Sequence, residues 1–424
     1  MMNRLKNKKL LILGASVEEV SLVRRAQSFG IYTIVTDYYT DHALSPAKDA
    51  ADEAWDVSWS DLDALERLCR ENHVDGITAG YSEFRVENMI RLCERLDLPC
   101  YATMHQLDIT RDKMKFKNEC RKCGVPVVTE YASPAEVSQY PVIVKPVDRG
   151  GSIGISVANN AAELEQAYAY AMEMSVCKQV IIEDFISDGT KFDSYYSIMD
   201  GEIQLLTTDD VINAEANGTE RVVQSSWLFP SRYHAAYEER VDASLRRMIQ
   251  DMGIQNGYIF FSGFYRPNGE FVFFETGFRL CGGHLYHYLE RKGLVNNLDI
   301  FISHALTGNT QLVKRGPDTK PDLKCVTLNF YAKTGKIAKM SGISQIGQME
   351  DCILTHINGR IGQECNEDRA ILSKIAMFSF CSTDPQQLRA DADEAYRLFA
   401  TEGTHGEDMI YDRIHTSQIE TWWA

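Results

Sequence analysis

The sequence predicts an α/β and α+β multidomain protein led by an open parallel α/β domain. Three observations carry this expectation. Short apolar strands alternate with amphipathic helices through residues 1–111. Beyond residue 112, strand-like runs follow one another directly, with Asp200-Gly201 and Asn268-Gly269 between them as hairpin turns. The chain has 424 residues, 44% hydrophobic and 25% charged, enough for two or three cores.

In the first part, Lys9–Leu13 reads as a strand, followed by the turn Gly14-Ala15-Ser16. A helix over 18–29 is capped by Gly30, and a second strand over 31–36 ends in Asp37. A helix at Leu62–Asn72 leads to Gly76-Ile77-Thr78 and Gly80-Tyr81-Ser82-Glu83, then to a helix over 86–96. The central part, 112–308, opens with a helix over 112–123. Strands are expected at 141–146, 155–158, 179–185, 192–199, 202–208, 258–265 and 270–275, with helices at 161–174 and 235–252. The last part, 309–424, begins with a linker over 311–323. A compact sheet follows, from 324–331, 336–341 and 345–353, with Ala332-Lys333-Thr334-Gly335 as a hairpin turn and a helix near 386–399.

Composition narrows the function classes. Sixty acidic against 44 basic side chains make a net charge of -16, which disfavours nucleic acid as a general partner. No run is long and apolar enough for a membrane span, and the basic start with its brief apolar run reads as a first strand rather than a signal peptide. The 11 cysteines, an odd number, fit reduced thiols and a cytoplasmic location. Cys120 and Cys123 form a C-R-K-C pair that cannot complete a tetrahedral zinc site, so helix packing is the expected role. The Gly14-Ala15-Ser16 turn lacks the full dinucleotide fingerprint, and Asp37 reads equally as a ribose ligand or a solvated strand end.

The most informative stretch lies at 139–155. Val142-Ile143-Val144 is a buried strand, Lys145 ends it, and Gly150, Gly151, Ser152 and Gly154 follow in a loop. Glycine permits the close backbone approach by which N–H groups meet phosphate oxygens, and a lysine beside them adds a mobile charge. The pattern is not a Walker sequence. It fits an enzyme that holds ATP between sheets, and also a Gly-rich hairpin with a surface lysine.

With Asp112-Lys113, the run Val180-Ile181-Ile182-Glu183-Asp184-Phe185-Ile186, and Glu275-Thr276-Gly277-Phe278-Arg279, the chain resembles the ATP-grasp superfamily over nearly its whole length. The similarity is to the branch with biotin carboxylase, carbamoyl phosphate synthetase halves and amino-acid ligases. It implies an ATP-grasp fold with three parts: 1–111 before the ATP-grasp region, 112–308 forming it, and 309–424 packed beside the site. By the same resemblance, Lys113, Lys145, Gly150, Gly151 and Ser152 hold ATP phosphates, while Glu183, Asp184, Phe185 and Ile186 form the adenine stretch. Asp188 or Asp193 substitutes for the ribose carboxylate, because the usual slot carries Lys191. Glu275 binds Mg2+, and Arg279 acts with Lys145 on the transferred phosphate and the substrate carboxylate.

Two departures stand out. The metal Asn slot is Gly277, and the second metal carboxylate, expected about twelve residues before Glu275, falls at Gly263; Asp209, Asp210 or Glu215 are the replacements considered. On the substrate side, Cys281-Gly282-Gly283-His284 follows Arg279, and Glu83 either recognises an amino group or caps its helix; His284 reads as a substrate contact, or with His287 as helix packing, in preference to metal binding by that pair.

The implied function is an ATP-dependent carboxylate–amine ligase that works through an acyl phosphate on an amino acid or small peptide. Its cofactors are ATP and Mg2+, its partners are small carboxylate and amine substrates without nucleic acid or membrane, and a homodimer is allowed. The alternatives are a bicarbonate-activating enzyme and a weakened, ATP-binding regulatory protein, the latter motivated by Gly263 and Gly277.

Overall fold

Four parallel strands lead the chain: β1 (Lys9–Leu13), β2 (Tyr32–Thr36), β3 (Glu53–Trp55) and β4 (Gly76–Ala79), in the order β3-β2-β1-β4. The structure is a computed structural model that describes residues 2–149, 153–216, 219–366 and 373–424. After Lys9, β1 is apolar and buried from Leu10 to Leu13, as a central parallel strand covered on both faces must be. The helix Leu62–Asn72 starts where the Asp61 carboxylate accepts the Ala64 N–H and stops at His73, which takes a left-handed backbone.

A second sheet, order β5-β8-β6-β7, is antiparallel and consists of β5 (Glu130–Tyr131), β6 (Val142–Pro146), β7 (Ser156–Ala158) and β8 (Val180–Asp184). The helix Ala161–Met174 covers one face through Leu164, Ala167 and Ala171.

The third sheet has eight strands. Its members are β9 (Thr190–Met199), β10 (Glu202–Ala216), β11 (Thr219–Phe229), β12 (Gly257–Tyr265), β13 (Phe271–Gly277) and β14 (Lys324–Tyr331), then, past β15 (Gly335–Ser341), β16 (Cys352–Ile357) and, past β17 (Glu364–Cys365), β18 (Lys374–Ser382). The order is β13-β12-β9-β10-β11-β14-β18-β16, antiparallel throughout. The Asp200-Gly201 turn joins β9 to β10 with both residues at positive φ (51° and 85°), the geometry that keeps a right-handed twist across a two-residue hairpin. Because β11 pairs with β14, this sheet runs across residue 308 without a break in hydrogen bonding.

Several elements differ from expectation. The 332–335 segment is no hairpin: β14 stays in the large sheet, while β15 joins a small one, β17-β15-β19, with β19 at Ala400–Gly403. The 345–353 stretch divides into the helix Ile343–Gly347 and the start of β16. β11 and β18 were not expected. β18 is buried on both faces, so it lacks the polar alternation by which a half-exposed strand is recognised. No helix among the described residues is long and apolar enough to cross a membrane.

Candidate active site

A cavity of about 590 Å³ opens between the second sheet and the large one. β6 supplies Lys145, β8 supplies Glu183 and Asp184, β9 Asp193, and β13 Glu275; Lys113, Phe185, Ile186 and Arg279 complete the described residues named from sequence. Gly150, Gly151 and Ser152 lie outside the described residues.

Lys113 arrives by helix geometry. The Asp112 carboxylate caps the helix Lys113–Lys122 by accepting the Met114 and Lys115 N–H groups, which makes Lys113 its first residue. Lys113 and Lys117, four apart, share the inward face and are buried, while Lys115 is exposed. Lys113 Nζ donates to the Arg149 carbonyl at 2.8 Å. Burial pushes its pKa down, against the attraction of Glu275.

Lys117 was missed as a site residue, although its spacing from Lys113 signals one helix face. It bonds Glu183 Oε1, while Lys145 Nζ bonds Glu183 Oε2 at 2.5 Å. Register explains the meeting: Glu183 lies across from Ile143, and Lys145 is two residues along the same face of β6. Burial alone would raise the Glu183 pKa, but Lys145 and Lys117 outweigh it and hold the carboxylate below its ordinary value. Burial lowers Lys117 to about 8 despite Glu183. The Glu183 carboxylate is therefore engaged by two ammonium groups. The Asp184 and Phe185 amides already donate to the Thr129 and Pro141 carbonyls, and the Asp184 carboxylate accepts from Tyr131 at 2.7 Å.

The two glycine departures have steric causes. A bulge between Ser262 and Gly263 shifts the register of β12 against β13, so Ser262, not Gly263, lies across from Glu275. A Cβ on Gly263 would come 2.5 Å from the Val272 carbonyl oxygen. At Gly277 a Cβ would run into the Phe260 ring, which fills the space of the expected amide. On the other side of β12, Ser262 pairs with Asp193. Asp193, Ser262 and Glu275 thus form a row across three strands, all lining the cavity. Asp193 Oδ1 is buried without a hydrogen-bond partner, and burial raises the Asp193 pKa against the attraction of Lys191. Oxygen donors in this arrangement fit one Mg2+. Of the acids considered as replacements, Asp209 accepts from Tyr195 at 2.9 Å and Asp210 from Ser231 at 2.6 Å and Trp422 at 2.8 Å; neither lines the cavity. The Glu215 side chain is outside the described residues, and Asp188 is exposed.

Arg279 Nε donates to Glu83 at 2.6 Å and Nη1 to the Leu280 carbonyl at 2.9 Å. The guanidinium sits over Phe260, 5.4 Å from the ring centroid. Glu83 opens its helix and reaches the cavity only through Arg279. Cys281 is no thiolate: burial raises its pKa, and its sulfur lies 3.2 Å from the Tyr258 hydroxyl. His284 points away from His287, toward Glu18 at 2.6 Å.

Lys374, on unexpected β18, also lines the cavity. Its ammonium is 5.1 Å from the Trp227 ring centroid, and no carboxylate among the described residues lies within ion-pair distance. Burial pushes its pKa down to about 8, against the attraction of Glu18. Trp227 makes the surroundings of Lys374 aromatic, while Trp422 lines the cavity beside Arg232, whose guanidinium carbon is 4.1 Å from the ring centroid.

The Gly14-Ala15-Ser16 turn holds no dinucleotide phosphate position. The Ser16 N–H and hydroxyl both donate to the buried Glu19 carboxylate, at 2.9 and 2.7 Å, and Arg85 binds Glu19 at 2.7 Å. A protein carboxylate thus occupies the donors that a pyrophosphate would use.

Similarity to solved structures follows this architecture. An L-amino acid ligase from Bacillus licheniformis superposes with a TM-score of 0.75 at 16% identity, covering 94% of this chain and 99% of that one. The biotin carboxylase domain of Hydrogenobacter thermophilus 2-oxoglutarate carboxylase, in complex with MgADP, ADP and bicarbonate, superposes at 0.74 with 17% identity, covering 95% and 91%. A family model described as D-ala D-ala ligase C-terminus matches residues 96–252. The chain has the ATP-grasp fold.

Curated relatives of this ATP-grasp chain include the formate-dependent phosphoribosylglycinamide formyltransferase of Erythrobacter litoralis, 27% identical over 210 residues, 47% of this chain and 50% of that one. The enzyme of that name from a Synechococcus species is 26% identical over 63% and 69%. Pyruvate carboxylase of Bacillus subtilis is 26% identical over 38% and 16%. The chain spans about half the length of the first of these relatives.

Proposed function

We propose that this ATP-grasp protein is an ATP-dependent carboxylate–amine ligase acting on an amino acid or small peptide. The observation that carries the reading is one cavity lined by Lys113, Lys145, the Asp193–Ser262–Glu275 row, Arg279 and Lys374. The lysines offset phosphate charge. Glu275 and Asp193 hold Mg2+, which when bound neutralises charge on the β and γ phosphates. A substrate carboxylate oxygen attacks the γ phosphorus, the bond from γ phosphorus to the bridging oxygen breaks, and ADP leaves. An amine then attacks the acyl carbon, phosphate departs with its oxygen, and the amine proton passes to solvent. Arg279 is held by Glu83 with its fork beside the row, suited to a phosphate or carboxylate.

Bicarbonate is the second reading, favoured by the likeness to the bicarbonate-bound carboxylase domain. The aromatic ring of Trp227 beside Lys374 argues for a substrate with an apolar side chain, which bicarbonate lacks. Phosphate release with ATP, Mg2+ and a pooled amino-acid library tests the proposal. Release that depends on an amino acid supports it. Release that depends only on bicarbonate, or ATP binding with no release under either condition, overturns it.

A further inference from the structure

Glu18, His284 and His356 are far apart in the chain and meet at one point. Glu18 precedes the helix Glu19–Gln27, His284 sits in the loop after β13, and His356 lies on β16. One ligand atom from each lies within 4.8 Å of the others. His284 Nε2 is 2.6 Å from Glu18 Oε2, and His356 Nε2 is 3.3 Å from Glu18 Oε1. Asn358 joins them, its amide nitrogen 3.0 Å from Glu18 Oε1 and 3.1 Å from His356 Nε2. The Asn358 amide oxygen is buried without a partner.

We propose that Glu18, His284 and His356, with the Asn358 amide oxygen as fourth donor, bind one divalent transition cation of the Zn2+ class, on residues separate from the Asp193–Glu275 magnesium row. Two imidazoles and a carboxylate are a donor set that zinc takes readily, whereas magnesium prefers oxygen alone. Zinc bonds of about 2.0–2.1 Å in a tetrahedron put neighbouring donors roughly 3.3 Å apart. The His356–Glu18 and His356–Asn358 separations already match this. The His284–Glu18 hydrogen bond, to the other carboxylate oxygen, has to lengthen by less than about 1 Å on the same tetrahedral geometry. Turning the Asn358 amide about its terminal bond puts its oxygen where the nitrogen is, an exchange that leaves the side-chain shape unchanged.

The surroundings hold the donors in place. The Tyr286 hydroxyl lies 2.5 Å from His284 Nδ1, so it sets the ring orientation and leaves Nε2 facing the cluster. His284 takes a left-handed backbone with φ 47°, uncommon for a non-glycine residue and suited to aiming a ring across a loop. Charge states agree with ligation. Burial lowers the His284 pKa against Glu18, favouring the neutral ring, and the two histidines outweigh burial to keep Glu18 ionised. Glu18 belongs to the parallel domain and His356 to β16, so a cation here ties that domain to the large sheet.

Cobalt and zinc titrations of the EDTA-treated full-length protein test this. One Co2+ per chain, with the intense visible absorption of tetrahedral coordination, displaced by Zn2+ and not by Mg2+, is expected. His356→Asn and Glu18→Gln should weaken binding at least 100-fold while Glu275→Gln leaves it unchanged. Tyr286→Phe, which keeps the packing, should weaken it about 10- to 100-fold. Absence of the tetrahedral band in the wild-type protein overturns the proposal even if the variants fail to fold. Equal zinc affinity in folded His356→Asn, or loss on Glu275→Gln, also overturns it. The readout is binding, so failure of the ligase reading would leave this result unaffected.

Discussion

Replacing Lys374 with Met separates stability from function at the substrate end of the cavity. A lysine pKa lowered from 10.5 to about 8 corresponds to about 3 kcal/mol against the charged form at 1.36 kcal/mol per pH unit. The side chain opens onto the cavity and keeps some water, so solvent screening reduces the expected gain to about 1–2 kcal/mol. Between pH 8 and 10.5 the unfolded chain holds this proton and the folded one has lost it, so wild-type stability from this group rises with pH across that window. Lys374→Met should therefore unfold about 1–2 °C higher than wild type at pH 7. The difference should vanish as pH approaches 10.5. In turnover, loss of a charge-assisted hydrogen bond to the substrate carboxylate should reduce kcat/KM about 10- to 100-fold. Wild-type kcat/KM should fall as pH rises through about 8, and Lys374→Arg should abolish that fall. Thermal unfolding from pH 6 to 10.5 and steady-state kinetics over the same range provide the assay. A Met variant with no pH-dependent stability difference and unchanged kcat/KM would refute the reasoning.

Glu183→Gln leaves the buried Lys117 and Lys145 without their carboxylate and should cost about 3–5 kcal/mol by denaturant unfolding. Since the Glu183 pKa is lowered, wild type loses this contribution as pH falls below the carboxylate range, and the variant should show a flatter acid limb. Gly277→Asn should destabilise by about 1–3 kcal/mol through collision with Phe260, and Phe260→Leu should relieve part of that cost in a double-mutant cycle. Additive costs would show that the ring does not fill the amide position. Arg279→Lys keeps the charge but loses the fork held by Glu83, so kcat/KM for the carboxylate substrate should drop about 10- to 100-fold with ATP affinity little changed; equal turnover would reduce Arg279 to a general positive charge.

The sequence by itself determined the parts whose signals are local. Strand–helix alternation marked the parallel sheet, the Asp200-Gly201 pair marked a hairpin, and Lys145 ahead of its glycines marked the β6 end of the cavity. The family resemblance pointed to Glu275 and Arg279, and both line the cavity. Tertiary structure alone decided who faces whom. Counting twelve residues back from Glu275 arrives at Gly263, but strand pairing past a bulge puts Ser262 across from Glu275, with Asp193 across from Ser262 on the other side. A one-residue shift turns a strand's side chains to the other face, and nothing in the local pattern records it. Lys117 with Glu183, Lys374 with Trp227, and Glu18 with His284 and His356 are likewise meetings of residues far apart in the chain. Their burial is tolerable only because sheet pairing and helix packing bring each charge a partner or a cavity, and that pairing is a property of the folded chain.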